Sequence, residues 1–117
     1  MTDQQIQEIE IHIDDAKKDV EFANRLDRLR KNKDFIAIVE KGFFRDEAER
    51  VCALKASPHI QGDDEQAQID NIIVSIGGFR QYLRTINQLR TMALQAIAAD
   101  EQTRDELLIE QLGVTEV

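Results

Sequence analysis

Cysteine, proline and tryptophan are almost missing from this chain of 117 residues, which has one, one and none. The lone Cys52 excludes an intrachain disulfide and a multi-cysteine metal site. One proline and five glycines encode few turns, which favours a few long elements over many short ones. No run of about 18 apolar residues is present, so no segment reads as a membrane-spanning helix. Aromatic residues make up 5% of the chain, too few for the stacking platforms that nucleic-acid readers use. Acidic residues are missing from the whole of 71–99, which holds Arg80, Arg84 and Arg90.

Catalytic signatures are missing too. There is no P-loop, no dinucleotide glycine fingerprint and no Gly-x-Ser-x-Gly elbow. Gly77-Gly78-Phe79 lacks the rest of a phosphate loop. His12 lies four residues after Glu8 and three before Asp15, a spacing that puts all three on one helical face. Such a trio could ligate a metal, but it arises often by chance on an acidic helix, and no metal is assigned. His59 has no obvious partner. We expect no catalytic residue, no cofactor and no metal, hence no enzyme. Cys52, within Arg50-Val51-Cys52-Ala53-Leu54, reads as a small buried thiol in preference to a reactive one.

What is present is a soluble-type composition, 42% apolar and 32% charged, with a net charge of −8. That is enough apolar content for one domain, 1–117, with a modest core. The negative balance opposes attraction to nucleic acid or anionic lipid and suits basic protein partners. Met1-Thr2-Asp3-Gln4-Gln5 lacks the basic and apolar parts of a signal peptide, which predicts a cytoplasmic protein.

Two heptad-spaced apolar stripes dominate the pattern. Ile6, Ile9, Ile13, Ala16, Val20 and Ala23 step by alternating threes and fours. So do Ile69, Ile72, Ile76, Phe79, Leu83 and Ile86. That spacing places each set on one seam of a helix. Glu-Ile-Glu-Ile-His-Ile over 8–13 alternates like a strand, but the heptad runs on into Asp14-Asp15-Ala16-Lys17-Lys18, so helix is favoured. The stripe shifts phase after Ala23, to Leu26 and Leu29.

The middle is punctuated. Asn32-Lys33-Asp34 offers a break and a cap. Gly42 suits a helix C-terminus, and Phe43 and Phe44 sit where rings can plug the end of a hairpin. A second short helix spans about Arg45 to Ala56, and Ser57-Pro58 stops it. Asp63 and Gln66 form a capping-box-like pair, and Gly113 ends the last helix. The residues beyond it, Val114 to Val117, are expected to fray. The fold predicted is all-α: a long helical hairpin of two amphipathic helices, about 3–31 and 63–112, with one or two short helices between.

The lengths differ. Fifty residues of helix span roughly 75 Å, about 30 Å more than the first helix. An uncovered arm is therefore predicted, and with it self-association into a homo-oligomer. The residues expected to make protein contacts are Ile76, Phe79, Leu83, Ile86, Met92, Ile97, Leu107 and Leu108. Gly77 and Gly78 weaken the middle of that helix or let a backbone come close.

Charge is uneven. Arg25, Arg28, Arg30, Lys31 and Lys33 crowd 25–33, whereas acid is concentrated in Asp3–Asp19 and Asp100–Glu116. Arg25, Arg28, Arg30, Arg80 and Arg84 are the candidates for nucleic-acid contact. A solvated face is the commoner meaning of such a pattern, and nucleic acid is not the favoured partner.

Four runs carry a family likeness: Ala23-Asn24-Arg25-Leu26-Asp27-Arg28-Leu29, Asn32-Lys33-Asp34-Phe35, Gly42-Phe43-Phe44-Arg45-Asp46-Glu47-Ala48 and Phe79-Arg80-Gln81-Tyr82-Leu83-Arg84. In order and spacing, over about 20–95, they resemble small helical proteins encoded by tailed bacteriophages. The resemblance implies a protein made in the bacterial host cytoplasm, for virion assembly, and assigns no site residue. It leaves three readings open: a structural or assembly protein that contacts copies of itself or a virion protein; an acidic adapter or inhibitor of a host protein; and a nucleic-acid-packaging accessory.

Overall fold

The heptad stripes do form helices. The computed structural model describes residues 2–113 and is all-α, with no strand among the described residues. Helix α1 spans Thr2–Leu29, α2 is the single turn Lys33–Phe35, a π-helical segment spans Ile36–Glu47, α3 spans Ala48–Ala56 and α4 spans Asp63–Leu112. A long N-terminal helix packs against a long C-terminal one with shorter helices between, a helical hairpin. The expected fraying of Val114–Val117 lies outside the described residues.

Local chemistry explains most boundaries. Asn32 Oδ1 accepts from the amides of Asp34 and Phe35, at 2.9 and 3.1 Å, and so caps α2. Ser57 is extended (φ −69°, ψ 128°), the conformation that Pro58 demands of its predecessor, and α3 ends before it. Gly113 closes α4 with φ +67°, a left-handed value that glycine adopts without penalty.

Two details differ from the sequence reading. Gln66 does not reach back to the Asp63 amide; its Nε2 donates to the carbonyls of Ile60 (2.6 Å) and Lys55 (3.3 Å), tying α4 to the end of α3. Gly42 does not end a helix. Its φ is not positive, and it lies inside continuous helical chain from Lys33 to Ala56. There the backbone widens to i→i+5 bonding over twelve residues, where such turns are usually single. A Cβ on Gly42 would stand 2.9 Å from the Ala37 carbonyl oxygen, five residues back. Glycine here permits the close approach that the wide turn needs.

The chain divides into two compact units. Unit 1 joins 1–25 to 86–117. In it, Gln111 Nε2 donates to Asp3 Oδ1 at 2.6 Å, and Arg90 Nη1 donates to Asn24 Oδ1 at 3.2 Å. The second bond lies 21 positions on from Asp3 and 21 back from Gln111, so the antiparallel pair holds one register throughout. Ile13, Ala23, Ile86 and Ala93 are buried along it. The second seam continues past Ile86 at heptad spacing through Arg90, Ala93, Ile97, Asp100, Arg104 and Leu107, all buried or half-buried. The predicted uncovered arm is therefore absent from α4. Its extra length, Asp63–Thr85, belongs to unit 2 with 26–62. The difference in helix length reads as an uncovered arm only when the short helices that share a unit with Asp63–Thr85 are left out of the comparison.

Unit 2 buries Leu26, Phe44, Val51, Ile69, Ile76 and Leu83. Phe43, Phe44 and Phe79 form a cluster with ring centroids 5.5–6.0 Å apart, Phe43 standing edge-on to Phe79. Lys55 Nζ pairs with Asp70 at 2.6 Å, and Gln61 holds the 57–62 loop through the Ser57 carbonyl, also at 2.6 Å.

Candidate functional site

An arginine-lined cleft of about 530 Å³ opens in unit 2. Its walls are Arg30, Glu40, Phe44, Arg45, Arg80 and Arg84. Arg80 and Arg84 sit one turn apart on α4, which aims both at one side. Glu40, Phe44 and Arg45 come from the π segment, whose i→i+5 geometry brings residues five apart onto one face. Arg30 follows α1 directly.

The four guanidinium groups are not equivalent. Arg30 Nε lies 3.4 Å from Glu40 Oε1, an ion pair whose geometry leaves the buried Nε without a hydrogen bond. Arg45 pairs with Asp46 at 2.9 Å; that hydrogen bond, and then the Asp46 charge, push the Arg45 pKa further up. Arg80 donates from Nη2 to the Phe44 carbonyl at 3.0 Å and stacks on the Phe44 ring, 4.9 Å from its centroid. Its position is fixed, and its charge meets no carboxylate. Arg84 makes no hydrogen bond or ion pair with a described residue. Glu40 thus offsets Arg30, and Asp46 with the further charge of Glu49 offsets Arg45, whereas neither Arg80 nor Arg84 has a carboxylate in contact among the described residues.

A second hollow of about 500 Å³ is lined by Ile38, Val39, Gly42, Phe43, Glu47 and Phe79, mainly apolar and all from unit 2. Glu47, at its edge, accepts from Arg50. That bond holds the Glu47 carboxyl below its ordinary range, against the opposing effect of burial.

In unit 1 the notable feature is one exposed face of α4. Gln88, Leu89, Met92, Gln95, Ala96, Ala99, Gln102 and Thr103 lie on it at helical spacing, all exposed and none charged. Met92 is 63% exposed and Leu89 42%.

The predicted protein-contact residues separate sharply. Ile76, Leu83 and Ile86 are buried and Phe79, Ile97 and Leu107 half-buried, so these six line the intramolecular seam. Met92 and Leu108 alone of that set are exposed. Among the five candidate arginines, Arg30, Arg80 and Arg84 meet in the cleft. Arg25 lies in unit 1, beside Lys18, Glu21 and Phe22, and Arg28 is exposed and does not line the cleft. Sequence reasoning missed Glu40, Phe44 and Arg45, because α-helical spacing puts residues 40 and 45 on different faces.

Cys52 is exposed, contrary to the expected buried thiol. Val51 (0% exposed) takes the inward position and the next residue turns away. Glu8 accepts from Gln4 and Asp15 pairs with Lys18. Among the described residues no three His, Cys, Asp or Glu side chains are grouped to hold a metal. No helix of the described residues is long and apolar enough to cross a membrane. Compared with protein-family models, curated proteins and solved structures, the chain matches none.

Proposed function

We propose that this chain is a non-enzymatic interaction protein that associates with copies of itself through the uncharged face of α4 in unit 1. The carrying observation is that face. Unit 1 holds thirteen acidic and five basic residues, yet Gln88 to Thr103 on this side offers no charge. Two acidic copies repel, and burying a charge is costly. A face of leucine, methionine, alanine and glutamine can be buried at little electrostatic cost. An antiparallel pair with its two-fold axis near Leu94 sets Leu89 opposite Ala99 and Met92 opposite Ala96. Large then meets small at both of these layers, and the contact is isologous.

Magnitude sets the strength. Sixteen residues span about 24 Å, and a strip about 10 Å wide covers roughly 250 Å² per copy. That is well under the roughly 800 Å² per partner of a stable complex, so association is weak and concentration-dependent. Light scattering over a wide concentration range tests it. The mass should rise from 13.4 kDa toward twice that value, and Leu89→Lys with Met92→Lys should hold it at the lower value. Ile11→Lys, at an exposed apolar position on α1, serves as the control. A constant 13.4 kDa at every concentration overturns the reading.

The resemblance to small helical phage proteins supports a finer form: a structural or virion-assembly protein of a tailed phage, in the host cytoplasm or the virion. Mass spectrometry of particles and assembly intermediates tests that form, and absence from both rejects it. The acidity of unit 1 favours a second reading, an adapter that holds a basic host protein. Neutralising Asp100, Glu101, Asp105 and Glu106 should then abolish capture of that protein. A nucleic-acid-packaging role rests on the arginines alone.

A further inference from the structure

The arginine cleft of unit 2 has no place in self-association through unit 1, and its chemistry points elsewhere. We propose that it is a binding site for the dianionic phosphoryl group of a phosphomonoester.

Charge is the first argument. Arg30 is matched by Glu40 and Arg45 by Asp46, while Arg80 and Arg84 meet no carboxylate. The Arg80–Arg84 end of the cleft is therefore short of negative charge. A phosphomonoester supplies about −1.5 to −2 at neutral pH, whereas a single carboxylate supplies half of that.

Geometry is the second. Guanidinium forks match phosphate oxygens with paired N–H donors. Arg80 is already oriented by the Phe44 carbonyl and ring, so little ordering remains when an anion arrives. Arg84, one turn away, has its donors free of any described protein partner.

Size and sign give the third. A volume of about 530 Å³ exceeds a bare phosphate and falls in the range of metabolite sites. Glu40 stands in the wall and repels a continuous polyanion, while tolerating one phosphoryl group placed toward Arg80 and Arg84. Those two features favour a terminal phosphate over a nucleic-acid backbone. The phosphate could be carried by a small metabolite or by a phosphorylated side chain; the chemistry recognised is the same.

Titration of the isotope-labelled full chain at fixed ionic strength tests the site. The probes are glucose 6-phosphate, O-phosphoserine, acetate and an oligonucleotide without terminal phosphate. Saturable shifts are expected for the arginine side-chain N–H signals and the amides of 40–45 and 80–84 with either phosphomonoester. Whichever binds tighter identifies the source. Binding should strengthen as pH rises through about 6, where the second phosphate proton leaves. Arg84→Gln should weaken binding roughly tenfold, the loss of one charge-assisted contact, without altering the helical spectrum. Glu40→Gln should tighten it, and Lys41→Gln, outside the cleft wall, should leave it unchanged. Absence of saturable binding, indifference to Arg84→Gln, acetate binding as tight as phosphoserine, or a preference for the oligonucleotide would each overturn the proposal. Self-association is read by mass and is unaffected by any of these outcomes.

Discussion

Unit 1 and unit 2 are built from the same two long helices by different rules. Unit 1 holds the entire net charge of −8, whereas unit 2 has ten acidic and ten basic residues and no net charge. Unit 1 has one phenylalanine, Phe22, and unit 2 has four. Unit 1 keeps one register from Asp3–Gln111 to Asn24–Arg90. Unit 2 contains a twelve-residue π segment. The lesson concerns where a concave site can arise. Strict heptad spacing gives a closed seam and smooth outer faces. A widened turn realigns residues five apart, so Glu40, Phe44 and Arg45 line one cleft. Neutrality in unit 2 hides a local imbalance, while acidity in unit 1 makes its uncharged face distinctive.

The strongest way to break this contrast is to remove the aromatic anchor. Phe44 is 8% exposed, and its carbonyl and ring both hold Arg80. Phe44→Ala should cost about 3–5 kcal/mol in denaturant unfolding. Amide exchange should accelerate across 26–85 before it does in 2–25. Uniform acceleration would mean that the two units open together.

The next test addresses the wide turn. Gly42→Ala places a methyl against the Ala37 carbonyl, a backbone atom that cannot step aside. We expect destabilisation of roughly 1–3 kcal/mol, although alanine is the better helix former. Gly77 and Gly78 supply the opposite sign, since a Cβ at either meets open space in a regular α-helix. Gly77→Ala and Gly78→Ala should each stabilise by about 0.5–1 kcal/mol, read as a higher denaturation midpoint. Equal effects at all three glycines would erase the distinction between π and α segments.

The smallest effect is electrostatic. The Glu47 carboxyl is held below its ordinary range by its hydrogen bond from Arg50. A carboxylate depressed in the folded state stabilises above the ordinary carboxylate range, and that contribution disappears as pH falls through the lowered value. Arg50 is exposed and Glu47 half-buried at the surface, so solvent screening of the pair keeps it slight. Glu47→Gln should flatten the acid side of the stability profile a little and leave neutral pH almost unchanged.

Much of unit 1 was legible in the sequence. All six residues of the first stripe, Ile6 to Ala23, are buried or half-buried; of the two residues expected to carry the stripe on into unit 2, Leu26 is buried but Leu29 is exposed. The stops at Asn32, Ser57-Pro58 and Gly113 were legible because each acts through its own backbone chemistry. Unit 2 was less so. Gly42 read as a stop, because glycine most often ends a helix through a positive φ, whereas here it relieves a close carbonyl contact. The α4 overhang was misread because helix lengths can be counted in a sequence but the cover supplied by short helices cannot. The cleft was half legible: Arg30, Arg80 and Arg84 were picked out by charge, and Arg45 was hidden by the π spacing.

The most direct test of the central claim, association through the uncharged face of unit 1, is an amide NMR footprint recorded at rising protein concentration. The account predicts concentration-dependent shifts or broadening centred on Gln88 to Thr103, with the cleft residues of unit 2 unchanged. Spectra that stay constant at all concentrations, or perturbations centred on 36–47, would contradict it.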